Sequence, residues 1–383
     1  MSDLRNRYWN TRVQSLSPYI PGEQPRDRKF IKLNTNENPY PPSPAVIEAI
    51  VKAAGDDLRR YPDPACTELR QTIAAQYGVK PDQVFAGNGS DEVLAFAFGA
   101  FFASGLPGGR GDTDKAARPV LFPDITYSFY PVYAGLWDVP YRRVPVRADF
   151  SINYEDYLKP SGGVIIPNPN APTGRPLPAA ELLAIAQYLE DYHDDDDTRE
   201  SGRVIIVDEA YSAFGAESLL PYIDAHPNLL TVHTLSKMGS LAGLRVGFAI
   251  GDAVLIEGLC RMRDSFNSYP VDRLAQAGAA AAIADTAYYD AVTAKVIATR
   301  DRVTAALTAM GFEVLPSAAN FTFIRHPEKT GAEFFGILRD RGILARHFNQ
   351  DRIADFLRVS IGTDDEMDVF LDECRNTAAG AGR

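Results

Sequence analysis

Lys237 stands directly after Ser236 at the end of the apolar, β-prone run Leu229 to Thr234, and Arg245 follows eight residues on with Gly239 and Gly243 between them. The run has the short, β-branched character of a buried strand, so a hydroxyl, an amine and a guanidinium are delivered at a strand end, the edge where open α/β sheets bind ligands. A lysine can hold a carbonyl cofactor as an imine, and Ser236, Arg245 and close-passing glycine backbone suit a phosphate on that cofactor. A strand-end lysine by itself is more often a solvated surface residue. The preceding run, Arg203 to Phe214, carries Asp208 where its Val/Ile stretch ends, and a carboxylate there needs a partner to stay ionised. A pyridinium nitrogen is such a partner; kept protonated, its ring is an electron sink for a carbanion at a substrate Cα, and Tyr211 is placed to reach a ring phenolate. Capping the following turn is the commoner use of a lone strand-end Asp.

The elements that must position these groups are legible in outline. Gly87, Gly89 and Ser90 precede a long apolar helix, and free amides at a helix start attract anions. N-capping by Ser90, with Asp91 and Glu92 complementing the dipole, is the alternative. Helical spacing is expected near Ala45 to Ala54, Glu68 to Tyr77, Pro178 to Tyr192 and Asp252 to Asn267. It is also expected from Arg273 to Met310, with a break near Ala284 to Thr286. From Phe312 onward, short strands (EVLP, NFTFIR, ILAR, FLRVSIG) alternate with helices, a separate α/β unit. Arg346 lies on or beside these strands, and Arg358 sits inside an apolar run where an unpaired guanidinium is costly, so an anionic partner is expected, from protein or from substrate. Residues 1 to about 30, broken by Pro18, Pro21 and Pro25, read as an arm without a packed element. LNTNENPYPPSP (33 to 44) reads as a loop whose buried polar side chains need partners.

A chain of 383 residues exceeds one core, so two packed domains are expected. A net charge of −11 argues against a nucleic-acid surface. Cys66, Cys260 and Cys374 are odd in number and far apart, pointing to reduced thiols and a cytoplasmic protein. No apolar stretch is long enough to span a membrane. The loop 105–119 and the acidic run 193–202 read as solvated, the latter no metal site. Nucleotide-loop, zinc-protease and serine-hydrolase motifs are absent.

Four motifs in order, PNPNAPTG (167 to 174), DEAY (208 to 211), TLSK (234 to 237) and LAGLRVGF (241 to 248), make the chain resemble the fold type I pyridoxal-phosphate aminotransferases from about Leu16 to about Thr363. Within them LSPYIPG (16 to 22), LNTNENPYPPSP, RYPDP (60 to 64), GNGSDEVL (87 to 94), TYSFY (126 to 130) and FLRVSIGT (356 to 363) resemble most the histidinol-phosphate aminotransferases. The resemblance implies an α/β fold with a large, mostly parallel sheet domain (55–267), a smaller α/β domain (31–54 and 268–383) and an arm (1–30). It implies pyridoxal 5'-phosphate as cofactor, with Lys237, Asp208 and Tyr211 catalytic. Gly89, Ser90, Asp91, Ser236 and Arg245 would hold the phosphate. Tyr127, otherwise an ordinary core aromatic, would stack on the ring, and Asn170 would supply an amide to the ring oxygen or the substrate, although the usual Asn before Pro-Thr-Gly is here Ala171. Tyr61, by itself a turn tyrosine, would reach the partner subunit's phosphate in a homodimer with shared sites. Tyr19, otherwise an aromatic anchor, and Arg346 would meet a substrate phosphate, and Arg358 an α-carboxylate. The implied reaction passes an amino group between a small-molecule donor and a 2-oxo acid, histidinol phosphate with 2-oxoglutarate. An aromatic amino-acid aminotransferase and a decarboxylase of a phosphorylated amino acid are the alternatives; a cofactor-binding regulator would need a DNA-binding domain for which neither length nor charge leaves room.

Overall fold

The computed structural model describes residues 4, 7–25, 28–102, 118–192 and 203–379, so the acidic run 193–202 and nearly all of the loop 105–119 lie outside the described residues. The main sheet has seven strands in the order Val84–Gly87, Gly247–Gly251, Leu229–Thr234, Ile205–Asp208, Gly163–Pro167, Val120–Pro123 and Tyr141–Val144. Gly247–Gly251 runs antiparallel to both neighbours, and the five strands from Leu229–Thr234 outward pair parallel. Parallel strands are covered on both faces and carry no polar alternation. Accordingly Val164, Ile166, Ile205 and Val207 enter one apolar cluster, while Ile165, Ile206, Leu230 and Val232 enter the other. The edge strand Tyr141–Val144, exposed at its first three residues, and the helix Tyr130–Trp137 were not expected from the sequence.

Register sets the strand ends at one edge. Pro167 pairs with Asp208, Asp208 with Val232, Thr234 with Gly247, and Gly247 with Gly87. The turn after Leu229–Thr234 and the glycine-led start of Gly89–Ala97 therefore open at the same rim as Asp208.

A second unit is built from the antiparallel strands Arg346–His347, Phe356–Ser360, Phe321–Arg325 and Glu313–Val314, with Ile31–Lys32 pairing parallel to Ile343–Leu344 beside them. Helices Thr286–Ala309, Gly331–Asp340 and Asp364–Ala379 close its core around Phe334, Leu357 and Phe370. The expected break in the long helical stretch falls at Asp285. Helices Pro44–Ala53 and Arg273–Ala284, grouped with the small unit from sequence, pack together, and Val46, Ala275, Ala279 and Ile283 join a cluster that covers the main sheet.

The arm differs from expectation. Thr11–Ser15 is a short helix capped by Asn10, whose side chain accepts from the Val13 amide, and the Tyr19 ring stacks on Phe129 at 4.5 Å. Pro18, Pro21 and Pro25 all follow the helix and leave it intact, its start closed by a polar N-cap and the chain beyond it docked by one aromatic contact.

Candidate active site

A cavity of about 230 Å³ opens at that rim, between the main sheet and the second unit. Eleven of the residues singled out from sequence line it: Tyr19, Ser90, Asp91, Tyr127, Asp208, Tyr211, Ser236, Lys237, Arg245, Arg346 and Arg358. Lys237 Nζ donates to the Thr35 carbonyl at 3.1 Å and lies 5.6 Å from the centre of the Tyr211 ring. The Tyr211 hydroxyl accepts from Asn36 Nδ2 at 2.9 Å.

Asp208 is buried; its Oδ2 accepts the Tyr130 hydroxyl at 3.0 Å and its Oδ1 the Ala210 amide at 3.2 Å. Burial raises its pKa to about 6, against the pull of these two donors. Asp91, in the first turn of Gly89–Ala97, is an acid where an anion site is expected. Its carboxylate is engaged sideways: Oδ2 accepts Arg245 Nη2 at 3.0 Å, and Oδ1 accepts the hydroxyls of Tyr127 at 2.8 Å and Tyr133 at 3.3 Å. Burial, with Asp91 next, pushes the Tyr127 phenol well up, so it stays a donor. Arg245 reaches Ser236 Oγ at 3.4 Å from a left-handed backbone conformation, φ 55°. That conformation costs a non-glycine residue about 1–2 kcal/mol and marks a position held by its surroundings.

A phosphate-bearing cofactor fits this donor set. A Cβ on Gly89 would lie 2.5 Å from Arg245 Nη2, and one on Gly247 would lie 2.2 Å from the Ser90 amide nitrogen, so two glycines keep a backbone cradle open beside Ser236 and Arg245. Among the described residues, no group of three metal-ligating side chains gathers.

Three expected residues are not brought to the cavity wall. Gly89 lies one residue behind Ser90 in the cradle. Asn170 is fully buried, its amide nitrogen donating to the Ile125 carbonyl at 2.9 Å and to Thr173 Oγ1 at 3.2 Å, and Ala171 lines the cavity in its place. Tyr61 is 78% exposed, stacked on Tyr269 at 4.5 Å.

Sequence reasoning missed Tyr130 and the segment Asn34, Thr35 and Asn36. The segment's carbonyls receive Arg358 Nη2 at 3.1 Å and Lys237 Nζ, while Asn36 holds Tyr211 and accepts Asn320 Nδ2 at 3.0 Å through its carbonyl. The asparagine-rich stretch signalled buried polar groups in need of partners, without saying which. Tyr130 stands in the TYSFY stretch, where nothing marks its hydroxyl.

The model of aminotransferase class I and II matches residues 28–373. Histidinol-phosphate aminotransferase 1 of Bordetella parapertussis is 55% identical over 96% of this chain and 97% of its own length, and histidinol-phosphate aminotransferase 2 of Thiobacillus denitrificans is 52% identical over 96% and 97%. Among solved structures, histidinol-phosphate aminotransferase from Sinorhizobium meliloti in complex with pyridoxal-5'-phosphate matches with a TM-score of 0.83 at 25% identity, covering 98% of both chains. A Thermus thermophilus aspartate aminotransferase shares the fold, with a TM-score of 0.77 at 21% identity over 97% of this chain and 99% of that one. The chain belongs to the class I and II aminotransferases, pyridoxal-phosphate enzymes that move an amino group between a small-molecule donor and a 2-oxo acid.

Proposed function

We propose that the enzyme passes the amino group of histidinol phosphate to 2-oxoglutarate, giving imidazole-acetol phosphate and glutamate in histidine biosynthesis. The observation that carries this choice is a pair of guanidiniums. Arg346 and Arg358 are register partners on neighbouring antiparallel strands, and both line the cavity. Like charges directly opposite one another repel, burial lowers the Arg358 pKa, and Arg358 Nε is buried without a partner among the described residues. An anion between them relieves all three costs. Glutamate offers an α-carboxylate; histidinol phosphate carries a phosphate ester on the carbon attached to Cα instead. In this reading Arg358 takes the carboxylate, Arg346 and Tyr19 extend the site to the phosphate, and one cation pair serves both substrates.

The remaining roles follow from position. Bound pyridoxal phosphate supplies a carbonyl that condenses with amines and a ring that draws electron density from the substrate Cα. Ser236, Arg245 and the amides beginning at Gly89, Ser90 and Asp91 would hold its phosphate. Tyr127 would flank the ring, Asp208 would meet the ring nitrogen and Tyr211, aimed by Asn36, the ring oxygen, with Asn170 bonded behind the wall to the Ile125 carbonyl. Lys237 is the amine that takes a proton from Cα and returns it on the cofactor side. We further infer a homodimer in which Tyr61 completes the partner's phosphate site, a cytoplasmic location in keeping with three free cysteines, and a small unit drawn from 31–54 and 268–383 whose helices Pro44–Ala53 and Arg273–Ala284 lie on the large unit of 55–267. Among the described residues, no helix is long and apolar enough to cross a membrane.

The test is to follow glutamate and imidazole-acetol phosphate from histidinol phosphate and 2-oxoglutarate. We expect kcat/KM for histidinol phosphate to exceed that for phenylalanine or tyrosine by about 100-fold or more, the discrimination available to a site built to pair a charged group. The reverse ranking means an aromatic aminotransferase. Carbon dioxide released from phosphothreonine without a 2-oxo acid means a decarboxylase.

A further inference from the structure

Tyr130 opens the helix Tyr130–Trp137 and is wholly buried among Phe98, Phe122 and Tyr127. A phenylalanine would fill that volume. A buried phenol adds a cost unless its hydroxyl is bonded, so its presence calls for a partner, and the partner is Asp208 Oδ2 at 3.0 Å. One helical turn on, Tyr133 donates to Asp91 Oδ1. Residues three apart share a helix face, and this one short helix thus sets a phenol on each of the cavity's two carboxylates.

We propose that Tyr130 is a positioning residue for amino transfer, its hydroxyl fixing the orientation of the Asp208 carboxylate and favouring its charged form, through which the cofactor's ring nitrogen keeps its proton. This rests on the reading of Asp208 given above. The groups that act on Asp208 are Tyr130 from the helix, Lys237 and Asp91 across the cavity, and the Ala210 amide; Glu209 is its chain neighbour and Tyr211 lies near Tyr130. Desolvation raises the Asp208 pKa, Asp91 raises it further, and the Tyr130 hydroxyl is the foremost interaction lowering it. Removing the hydroxyl therefore moves loss of the carboxylate to higher pH. With wild type near 6, the change enters the neutral range.

The test uses the holoenzymes of Tyr130→Phe, Asp208→Asn and the double variant, with two readouts. One is the dissociation constant of pyridoxal phosphate from pH 5.5 to 8.5; the other is kcat and KM for the amino donor. For Tyr130→Phe we expect cofactor affinity at the acid end to weaken about tenfold and at the alkaline end about twofold or less, the consequence of a shift of about one pH unit. We expect kcat to fall about tenfold with KM within about twofold, and the double variant to be no worse than Asp208→Asn alone, as for residues acting through one another. An unmoved pH dependence, or a Tyr130→Phe effect that adds in full to Asp208→Asn, overturns the proposal. Asp208→Asn at wild-type level instead refutes the reading of Asp208. Should Tyr130→Phe fail to fold, 3-fluorotyrosine at position 130 is nearly isosteric with a stronger donor and is expected to shift the pH dependence downward; no shift overturns the proposal equally.

Discussion

Lys237 is held at 3.1 Å by the Thr35 carbonyl, a neutral acceptor, and has no carboxylate bonded to its amine among the described residues, so nothing locks its nitrogen away from a reacting carbon. Lys237→Ala is expected to lower kcat for amino transfer by about 10³-fold or more, the scale on which a positioned acid and base accelerates proton transfer. The same variant should retain cofactor noncovalently in equilibrium dialysis, because Ser236, Arg245 and the start of Gly89–Ala97 are untouched; near-wild-type turnover is the outcome that defeats the assignment. Lys237, Asp208 and Arg358 were legible in the sequence for one physical reason: each interrupts or ends an apolar run, where a charge is costly without a purpose. Tyr130 and Asn36 were not, because Asp208 lies 78 residues from the first and Tyr211 lies 175 from the second, and neither polar atom breaks a local pattern. Asn170 was legible as a motif residue, but its orientation depends on Ile125 and Thr173, contacts no spacing rule supplies.

At the scale of elements, the cavity depends on a helix start pressed against a strand start. Gly247 opens the antiparallel strand, and a Cβ there would meet Ser90 N at 2.2 Å and the Gly89 carbonyl carbon at 2.5 Å, both backbone atoms that no rotamer can move. Gly247→Ala is therefore expected to push Gly89–Ala97 off the sheet rim and weaken pyridoxal-phosphate affinity by about tenfold, with destabilisation of about 1–3 kcal/mol typical of overpacking. Fluorescence titration and thermal melting measure the two; a melting shift with unchanged affinity would mean the cradle tolerates the displacement. The parallel strands other than the edge strand Tyr141–Val144 were readable from their apolar runs, and the Arg273 to Met310 break from its polar interruption. The antiparallel turn of Gly247–Gly251 was not, since RVGFAI has the same apolar character in either direction. The segment Asn34 to Asn36 also escaped: its carbonyls take Lys237 on the main sheet and Arg358 on the second, a role almost independent of side-chain pattern, and the Asn36 amide meets Tyr211 across a long stretch of chain.

On the scale of the whole molecule, one of the three expected residues missing from the cavity wall stands out in solvent. Tyr61 is 78% exposed and stacks on Tyr269, its carbonyl accepting Arg273 Nη2 at 3.2 Å, while Ile47 and Val51, one turn apart on Pro44–Ala53, and Leu58 also present apolar surface to solvent. Exposed aromatics and aliphatics near a turn suit a surface that a second copy covers, and the proposed twofold assembly would offer each chain's Tyr61 to the other's site. Complementation separates this from a solvated turn tyrosine. A heterodimer of one Lys237→Ala chain and one Tyr61→Ala chain contains one site with both native groups only if Tyr61 crosses the interface; random mixing of equal amounts should then restore about a quarter of wild-type activity, since half of the dimers are mixed and half of their sites are whole. Lys237→Ala mixed with Arg245→Ala should restore none, because Arg245 lies in the same chain's cavity as Lys237. Activity withheld by the Tyr61 pair, although each variant alone is impaired, places Tyr61 on the wrong side of the interface, and activity regained by the Arg245 pair contradicts the placing of Arg245 and Lys237 in one chain's cavity. Full activity in a preparation shown to be monomeric by light scattering removes the shared site altogether, and leaves the chemistry of Lys237 to stand on the cavity within one chain.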